Sequence, residues 1–486
     1  MGSTVLNRRW SALALIVTAQ FMVILDVAIV NVALPSIKAD LGFSQASLQW
    51  VISAYAIFFG GVLLLGGRLA DLLGRRRLFV AGLLLFAASS LFAGLAWSAA
   101  SLVAFRAVQG LGGALFAPAA LSLLMTTFAE GRDRNLALGI YGAASGSGAA
   151  AGVLLGGVIT SYLSWSWIFF VNVPVGIAAA ALAPMLLRDS RAELGHRHFD
   201  VAGATSVTAG LMLLVYALTR ATSDGWGAPT TVALLAGAAA LLAAFVTIEL
   251  RSPWPLLPLG IFRSRTLSAA NGAMAIVGGV AFSEFFLLTL YLQDVLHYSA
   301  MQAGAAFVAF ALTVVVASNV AQAVVNRVGV RATLTVGLLV SALSVGLLSR
   351  LPVHGHYFWD VFPAFVVGGA GMGLSFVPVT IAALTGVDRS FAGVASGLIN
   401  TSRQIGGAIG IAAASAIAAT ATRGYARTHD VGAVSGVALD HGFQTALWFL
   451  AALLVLGAVL VATMLRPARV APQEDAADLV VLDEAA

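Results

Sequence analysis

Long apolar runs alternate with short polar breaks along almost the whole chain. A helix needs about 20 mostly apolar residues to cross a bilayer. Fourteen runs reach that length, at roughly 11–34, 48–69, 78–98, 101–127, 135–160, 166–187, 200–220, 230–250, 266–292, 301–325, 331–351, 358–385, 392–418 and 444–465. Runs seven and eight are separated only by Asp224-Gly-Trp-Gly-Ala-Pro229. Arg8 and Arg9 precede the first run as in a signal peptide, but the run continues past Asp26 without a small-residue cleavage site, so it reads as an uncleaved first helix. The pattern predicts an all-α polytopic membrane protein with 14 transmembrane helices.

Composition agrees. Of 486 residues, 60% are hydrophobic and 10% charged, against about a quarter charged in an average soluble chain. The +5 formal charge does not suggest a nucleic-acid partner, because the arginines sit in short loops without a basic patch carrying aromatics. Their placement tests the helix count instead. With the N-terminus inside, inner segments hold nineteen basic residues: Arg8, Arg9, Arg68, Arg75, Arg76, Arg77, Arg132, Arg134, Arg188, Arg191, Arg197, Arg251, Arg263, Arg265, Arg327, Arg331, Arg389, Arg466 and Arg469. Outer segments hold five: Lys38, Arg220, Arg350, Arg423 and Arg427. Removing one helix would swap every later loop and spoil this positive-inside bias. Both termini are therefore expected in the cytoplasm, with the chain in the plasma (inner) membrane.

The break after the second run is Gly67-Arg-Leu-Ala-Asp-Leu-Leu-Gly-Arg-Arg-Arg77. It reads as a tight cationic hairpin. Gly74 permits the turn, and Asp71 can pair with an arginine or face the positive end of the next helix. The loop after run ten, Asn326-Arg-Val-Gly-Val-Arg331, is a worn copy with Asn326 in place of the acid. The copy follows the second helix of the last six, as the original follows the second of the first six. That is the mark of a duplicated bundle. The expected organisation is an N-terminal six-helix bundle at 1–187, a cytoplasmic linker with inserted helices seven and eight at 188–257, a C-terminal six-helix bundle at 258–465, and a disordered acidic tail at 466–486.

Charges inside hydrocarbon are costly, so those within the runs are the functional candidates. They are Asp26 in run one, Arg106 in run four, Glu284 in run nine and Arg403 in run thirteen. Burial disfavours a charged carboxyl and a nearby arginine favours it, so Asp26 and Glu284 are candidate proton sites, with Asp26 first. Against this, Asp26 could be a structural acid bound to neighbouring helices, for example near Asn31. Arg106 and Arg403 read either as partners that tune an acid or as clamps on backbone carbonyls. Asn31, Glu284, Asn400, Arg403 and Gln404 are expected to line the substrate cavity. If Glu284 does so, it favours a cationic substrate. The run Gly148-x-x-x-Gly152-x-x-x-Gly156, with Gly157, puts small residues on one helix face. It is expected either as static packing or as a sliding seam between the halves. Trp165, Trp167, Tyr291 and Tyr298 read as a membrane belt.

No Walker-type loop is present to support ATP drive, and no hydrolytic motif places an enzyme in the membrane. His429 and His441 lack metal-site spacing, and the chain has no cysteine. No cofactor is expected, only a proton gradient as energy source. Nothing demands a dimer, so a monomer is expected.

These motifs fall in a known order. The Gly67–Arg77 hairpin resembles the signature loop of the major facilitator superfamily. Arg106-Ala-Val-Gln-Gly110 and the glycine-rich run five resemble motifs of its proton-coupled antiporters. Leu25-Asp…Asn31-Val-Ala-Leu-Pro35, Trp167-Ile-Phe-Phe-Val-Asn-Val-Pro174, Tyr291-Leu-Gln293 and Ala395-Ser-Gly…Asn400-Thr-Ser-Arg-Gln404 resemble the fourteen-helix EmrB/QacA-type drug/proton antiporters. The resemblance implies a major facilitator fold of two six-helix bundles plus two inserted helices. It implies proton coupling through Asp26 and Arg106, and a conformational latch of Gly67, Asp71, Gly74, Arg75, Arg76 and Arg77. It also implies a cavity for a small hydrophobic, often cationic, compound. Two departures stand out: Val153 follows Gly152 where the family has proline, and Ser166 replaces an arginine. Glu284 matches no shared motif. The expected activity is multidrug efflux, with a narrow exporter of an endogenous metabolite or lipid as the alternative. An importer and a non-transporting membrane sensor are the rival readings.

Overall fold

The computed structural model describes residues 2–43, 48, 50–129, 131–190, 200–385, 387, 391–432 and 435–465. The expected tail at 466–486, most of the linker after Arg188, and Arg191, Arg197, Arg389, Arg466 and Arg469 lie outside the described residues. The described chain is helical and contains 14 helices long and apolar enough to span a membrane. They are α1 (Arg8–Leu34), α2 (Trp50–Leu73), α3 (Arg75–Gly94), α4 (Ala99–Thr127), α5 (Arg132–Thr160), α6 (Trp167–Leu186), α7 (Val201–Ala221), α8 (Pro229–Arg251), α9 (Arg265–Gln293), α10 (Met301–Val328), α11 (Val330–Leu348), α12 (Tyr357–Leu384), α13 (Gly393–Thr428) and α14 (Gly436–Met464). Large apolar side chains such as Leu84, Leu155, Leu312, Leu343 and Leu456 stay exposed on their outer faces. In a bilayer those faces meet lipid rather than water.

Packing follows the duplication. In α1–α6 the first helix packs on the fifth, and the second and third on the fourth. The same pairs recur in α9–α14. Between the halves, α5 packs on α10 and α2 on α13, so the fifth helix of each half meets the second of the other. The inserted α7 and α8 pack on each other, and α7 also lies against α2 and α13. Leu64, Leu211, Phe245 and Leu398 share an apolar cluster there. The inserted pair thus flanks the α2–α13 contact between the halves.

Gly74 and Gly329 turn the chain after α2 and α10 with φ of 110° and 86°, values that favour glycine. The original hairpin and its copy therefore share a backbone solution as well as a position.

The glycine stripe of α5 lies elsewhere than a seam between halves. A Cβ on Gly148 would meet Phe21 and Ile24, one on Gly152 would meet Leu25 and Ala28, and one on Gly156 would meet Ile29 and Val32, all on α1. Only Gly157 faces the other half, near Met301. The stripe brings two helices of one bundle together, so the sliding-seam expectation is corrected for Gly148, Gly152 and Gly156. Gly152→Val should separate α1 from α5 at a cost of about 1–3 kcal/mol. A fall in melting temperature in detergent checks this; an unchanged melting curve would show that the seam has slack.

Candidate functional site

Asp26 is fully buried on α1. Its Oδ2 accepts from Arg106 Nη1 at 2.7 Å. Its Oδ1 accepts from Gln109 Nε2 and from Asn172 Nδ2, each at 2.8 Å. Gln109 lies one turn beyond Arg106 on α4 and also accepts from it at 2.6 Å. Ser90 of α3 accepts from Gln109 at 3.1 Å and from Asn172 at 3.2 Å, and donates to the Phe169 carbonyl at 2.9 Å. Arg106 also donates through Nε to the Val51 carbonyl at 3.0 Å, and its guanidinium lies 4.4 Å from the Tyr55 ring centroid. Five helices, α1, α2, α3, α4 and α6, thus surround one ion pair. A buried pair holds when its remaining polar positions are also satisfied, and the Gln109 and Asn172 amides and the Val51 carbonyl do that here.

Asp26 and Arg106 are brought together as the sequence suggested. Asn31 is not part of the network: it is exposed and returns its amide to the Val27 carbonyl at 2.8 Å. Gln109, Asn172 and Ser90 were missed. Their signal was available, since each is a polar residue inside an apolar run.

A second polar cluster closes the face that carries the arginine-rich loops. Asp71 is fully buried and pairs with Arg75 at 2.8 Å. Its two oxygens also accept from the backbone N–H groups of Gly393 and Val394, each at 3.1 Å. These are first-turn amides of the helix containing α13, which begins at Ala392, and its own N-cap residue, Phe391, supplies no side-chain bond. A carboxylate from one half therefore caps a helix of the other, where donors and helix dipole favour a negative charge. Gly67 permits this approach, because a Cβ there would collide with the Gly393 carbonyl. Arg76 and Arg77 do not join this contact. Arg76 donates to the Leu187 carbonyl at 3.2 Å, and both lie within 3.8 Å of Asp189, at the start of the linker that follows the same half. At the related position, Asn326 accepts from Asn135 of α5 at 2.8 Å, a neutral contact between the halves.

Arg403 of α13 is buried. Its Nη2 donates to Asn400 at 3.3 Å, and its Nε has no hydrogen-bond partner among the described residues. Its guanidinium lies 5.8 Å from the Phe376 ring and within electrostatic reach of the Tyr55 and Tyr141 hydroxyls of the other half. Gln404, on the same helix, approaches Gly60 of α2. Asn400, Arg403 and Gln404 therefore belong to the region where the halves meet.

Glu284 does not. It lines a small pocket with Val277, Phe310, Ser341, Met372, Ser375 and Leu454 among others, all from α9–α12 and α14. Its placement in the cavity between the halves is corrected to the interior of the C-terminal bundle. Two aromatic assignments also change. Tyr291 is buried and donates to the Pro352 carbonyl at 2.7 Å, and Trp165 is buried and donates to Asp40 at 2.7 Å. Trp167 remains exposed, as a belt residue should be.

Two six-helix halves joined around a few polar contacts, with charges buried between transmembrane helices, define a polytopic transporter fold. The chain belongs to the Major Facilitator Superfamily, whose model matches residues 16–411. It is 40% identical to the puromycin resistance protein Pur8 of Streptomyces alboniger, over 93% of this chain and 90% of that one. It is 42% identical to the cephamycin export protein CmcT of Amycolatopsis lactamdurans, over 85% and 86%. The human organic anion transporter MFSD10 has the same fold, with a TM-score of 0.63 at 14% identity, over 93% of this chain and 99% of that one.

Proposed function

We propose that this protein is a proton-driven exporter of small hydrophobic compounds, working by alternating access between its halves. On this reading the arginine-rich face is cytoplasmic, both termini lie there, and a proton gradient supplies the energy. The observation that carries the reading is the Asp71 contact. It joins the halves through hydrogen bonds to two backbone amides, a contact that breaks and re-forms as two rigid bundles rock. Gly67, Asp71, Gly74 and Arg75 form the latch, while Arg76 and Arg77 brace its loop within the N-terminal half. The Asp26–Arg106 pair holds the N-terminal bundle as one rocking body.

Export is supported by the relatives, named for resistance to or export of puromycin, cephamycin, tetracenomycin C and lincomycin. Names built on single compounds favour a second reading, a narrow exporter of an endogenous metabolite. Asn400, Arg403 and Gln404 are the substrate-facing group. The case for a cationic substrate rested on Glu284 lining this region. With Arg403 there instead, a neutral or acceptor-bearing compound fits better.

The test is transport in inside-out vesicles with an imposed proton gradient. Puromycin, a cephamycin, lincomycin and lipophilic cations are offered in turn. Uptake with dissipation of the gradient is expected. A response to several unrelated compounds means multidrug efflux, and a response to one means a narrow range. Compound uptake that ignores the gradient would overturn proton drive.

A further inference from the structure

Glu284 takes no part in the Asp26 network or in the closure between the halves. Its pocket is bounded by α9, α11, α12 and α14, with Phe310 of α10 at one side. These four are the first, third, fourth and sixth helices of the C-terminal half. Asp26, Ser90, Arg106 with Gln109, and Asn172 stand on the first, third, fourth and sixth helices of the N-terminal half. The two acids thus occupy corresponding places in a duplicated bundle.

Their surroundings are opposite. Asp26 is fully buried and bonded to an arginine and two amides. Glu284 is half-buried beside a pocket. Among the described residues it has no hydrogen-bond or ion-pair partner, and no charged group acts on it. The neighbouring helices present only Ser341 and Ser375 as polar pocket residues. Arg403 of α13 lies over Phe376 instead. Asp360 and Asp440 stand near Tyr291, at the far end of α9, about 10 Å along the helix from Glu284. A carboxylate without cation or donor is a bare charge in a medium that charges such groups several kcal/mol. A neutral carboxyl is not.

We propose that Glu284 is the exchangeable proton site of this transporter, and that Asp26 stays ionised as the structural partner of Arg106. In the conformation seen, Glu284 holds its proton. The step is a transfer: the carboxyl O–H bond breaks toward the cytoplasm when the pocket opens to that side, and a proton from outside re-forms it. This rests on the proton-driven reading above.

Dicyclohexylcarbodiimide tests it, because it reacts with protonated carboxyls in apolar surroundings. The full-length protein in liposomes is treated across a pH series, and the modified residue is identified by mass spectrometry. Modification of Glu284 is expected, fading about tenfold per pH unit above its midpoint, with Asp26 untouched. An unmodified Glu284 at every pH, or modification of Asp26 in its place, would overturn the proposal. This arm needs no substrate, so it reads Glu284 even if the export reading fails. In the vesicle arm, Glu284→Gln should move puromycin down its own gradient without discharging the proton gradient. Discharge at the parent rate would also overturn the proposal. If the variant does not fold, labelling of the parent protein decides.

Discussion

Arg106→Met is expected to destabilise the protein by about 3–5 kcal/mol, the usual cost of leaving a buried charge without its partner. Asp26 would keep the amide donors of Gln109 and Asn172 but lose the cation bonded to it. With no exposed surface, it could not recover that energy from water. Asp26→Leu combined with Arg106→Met removes both charges, and should regain most of the lost stability. Thermal melting in detergent, followed by size-exclusion chromatography, reads the three proteins. A double variant as unstable as Arg106→Met alone would show that packing of the long arginine stem, and not its charge, holds the bundle. The chromatographic peak should also separate loss of fold from loss of transport, which any assay of Asp26 or Arg106 variants must do.

Asp71→Ala should open the arginine-rich face. The change removes the cap on Gly393 and Val394 and the ion pair with Arg75. Loss of charge-assisted bonds and a helix cap costs the closed state about 2 kcal/mol, which moves a two-state balance roughly 30-fold. The chain has no cysteine, so spin labels can be placed cleanly at Arg132→Cys and Arg327→Cys. These positions are exposed, on that face and on opposite halves. Distances between the labels should gain a longer population in Asp71→Ala. An unchanged distribution would place the closing energy in other contacts, such as Asn135 with Asn326 and the apolar packing of α2 on α13.

The contrast between the two clusters has a physical basis. Asp26 and Arg106 hold helices within one bundle, where both carboxylate oxygens have fixed partners. Asp71 holds one bundle to the other through two amides that water can satisfy when the halves part. The first contact is expensive to break and the second is cheap, which suits a rigid body and a moving joint.

Sequence alone determined the number and approximate limits of the spanning helices, because hydrocarbon imposes the same rule of length and apolarity on each helix separately. It marked Asp26, Arg106, Glu284 and Arg403, because charge is rare in that medium. It marked Gly74 and its copy at Gly329, because the turn requires a backbone that glycine provides. What each residue meets was decided by the tertiary structure. Asp26 and Arg106 lie 80 residues apart, and no local spacing joins them. Gln109, Asn172 and Ser90 stood out only as polar residues inside apolar runs, and packing alone brought the two amides to one carboxylate with Ser90 accepting from both. The Gly148–Gly156 spacing reported a face of small residues but not its neighbour, which proved to be α1 and not the other half. Glu284 was visible as an acid, but its place inside the C-terminal bundle depends on how α10, α11, α12 and α14 pack around α9. A one-dimensional pattern records what each helix costs in lipid; only the packed bundles decide which costs are cancelled by a partner.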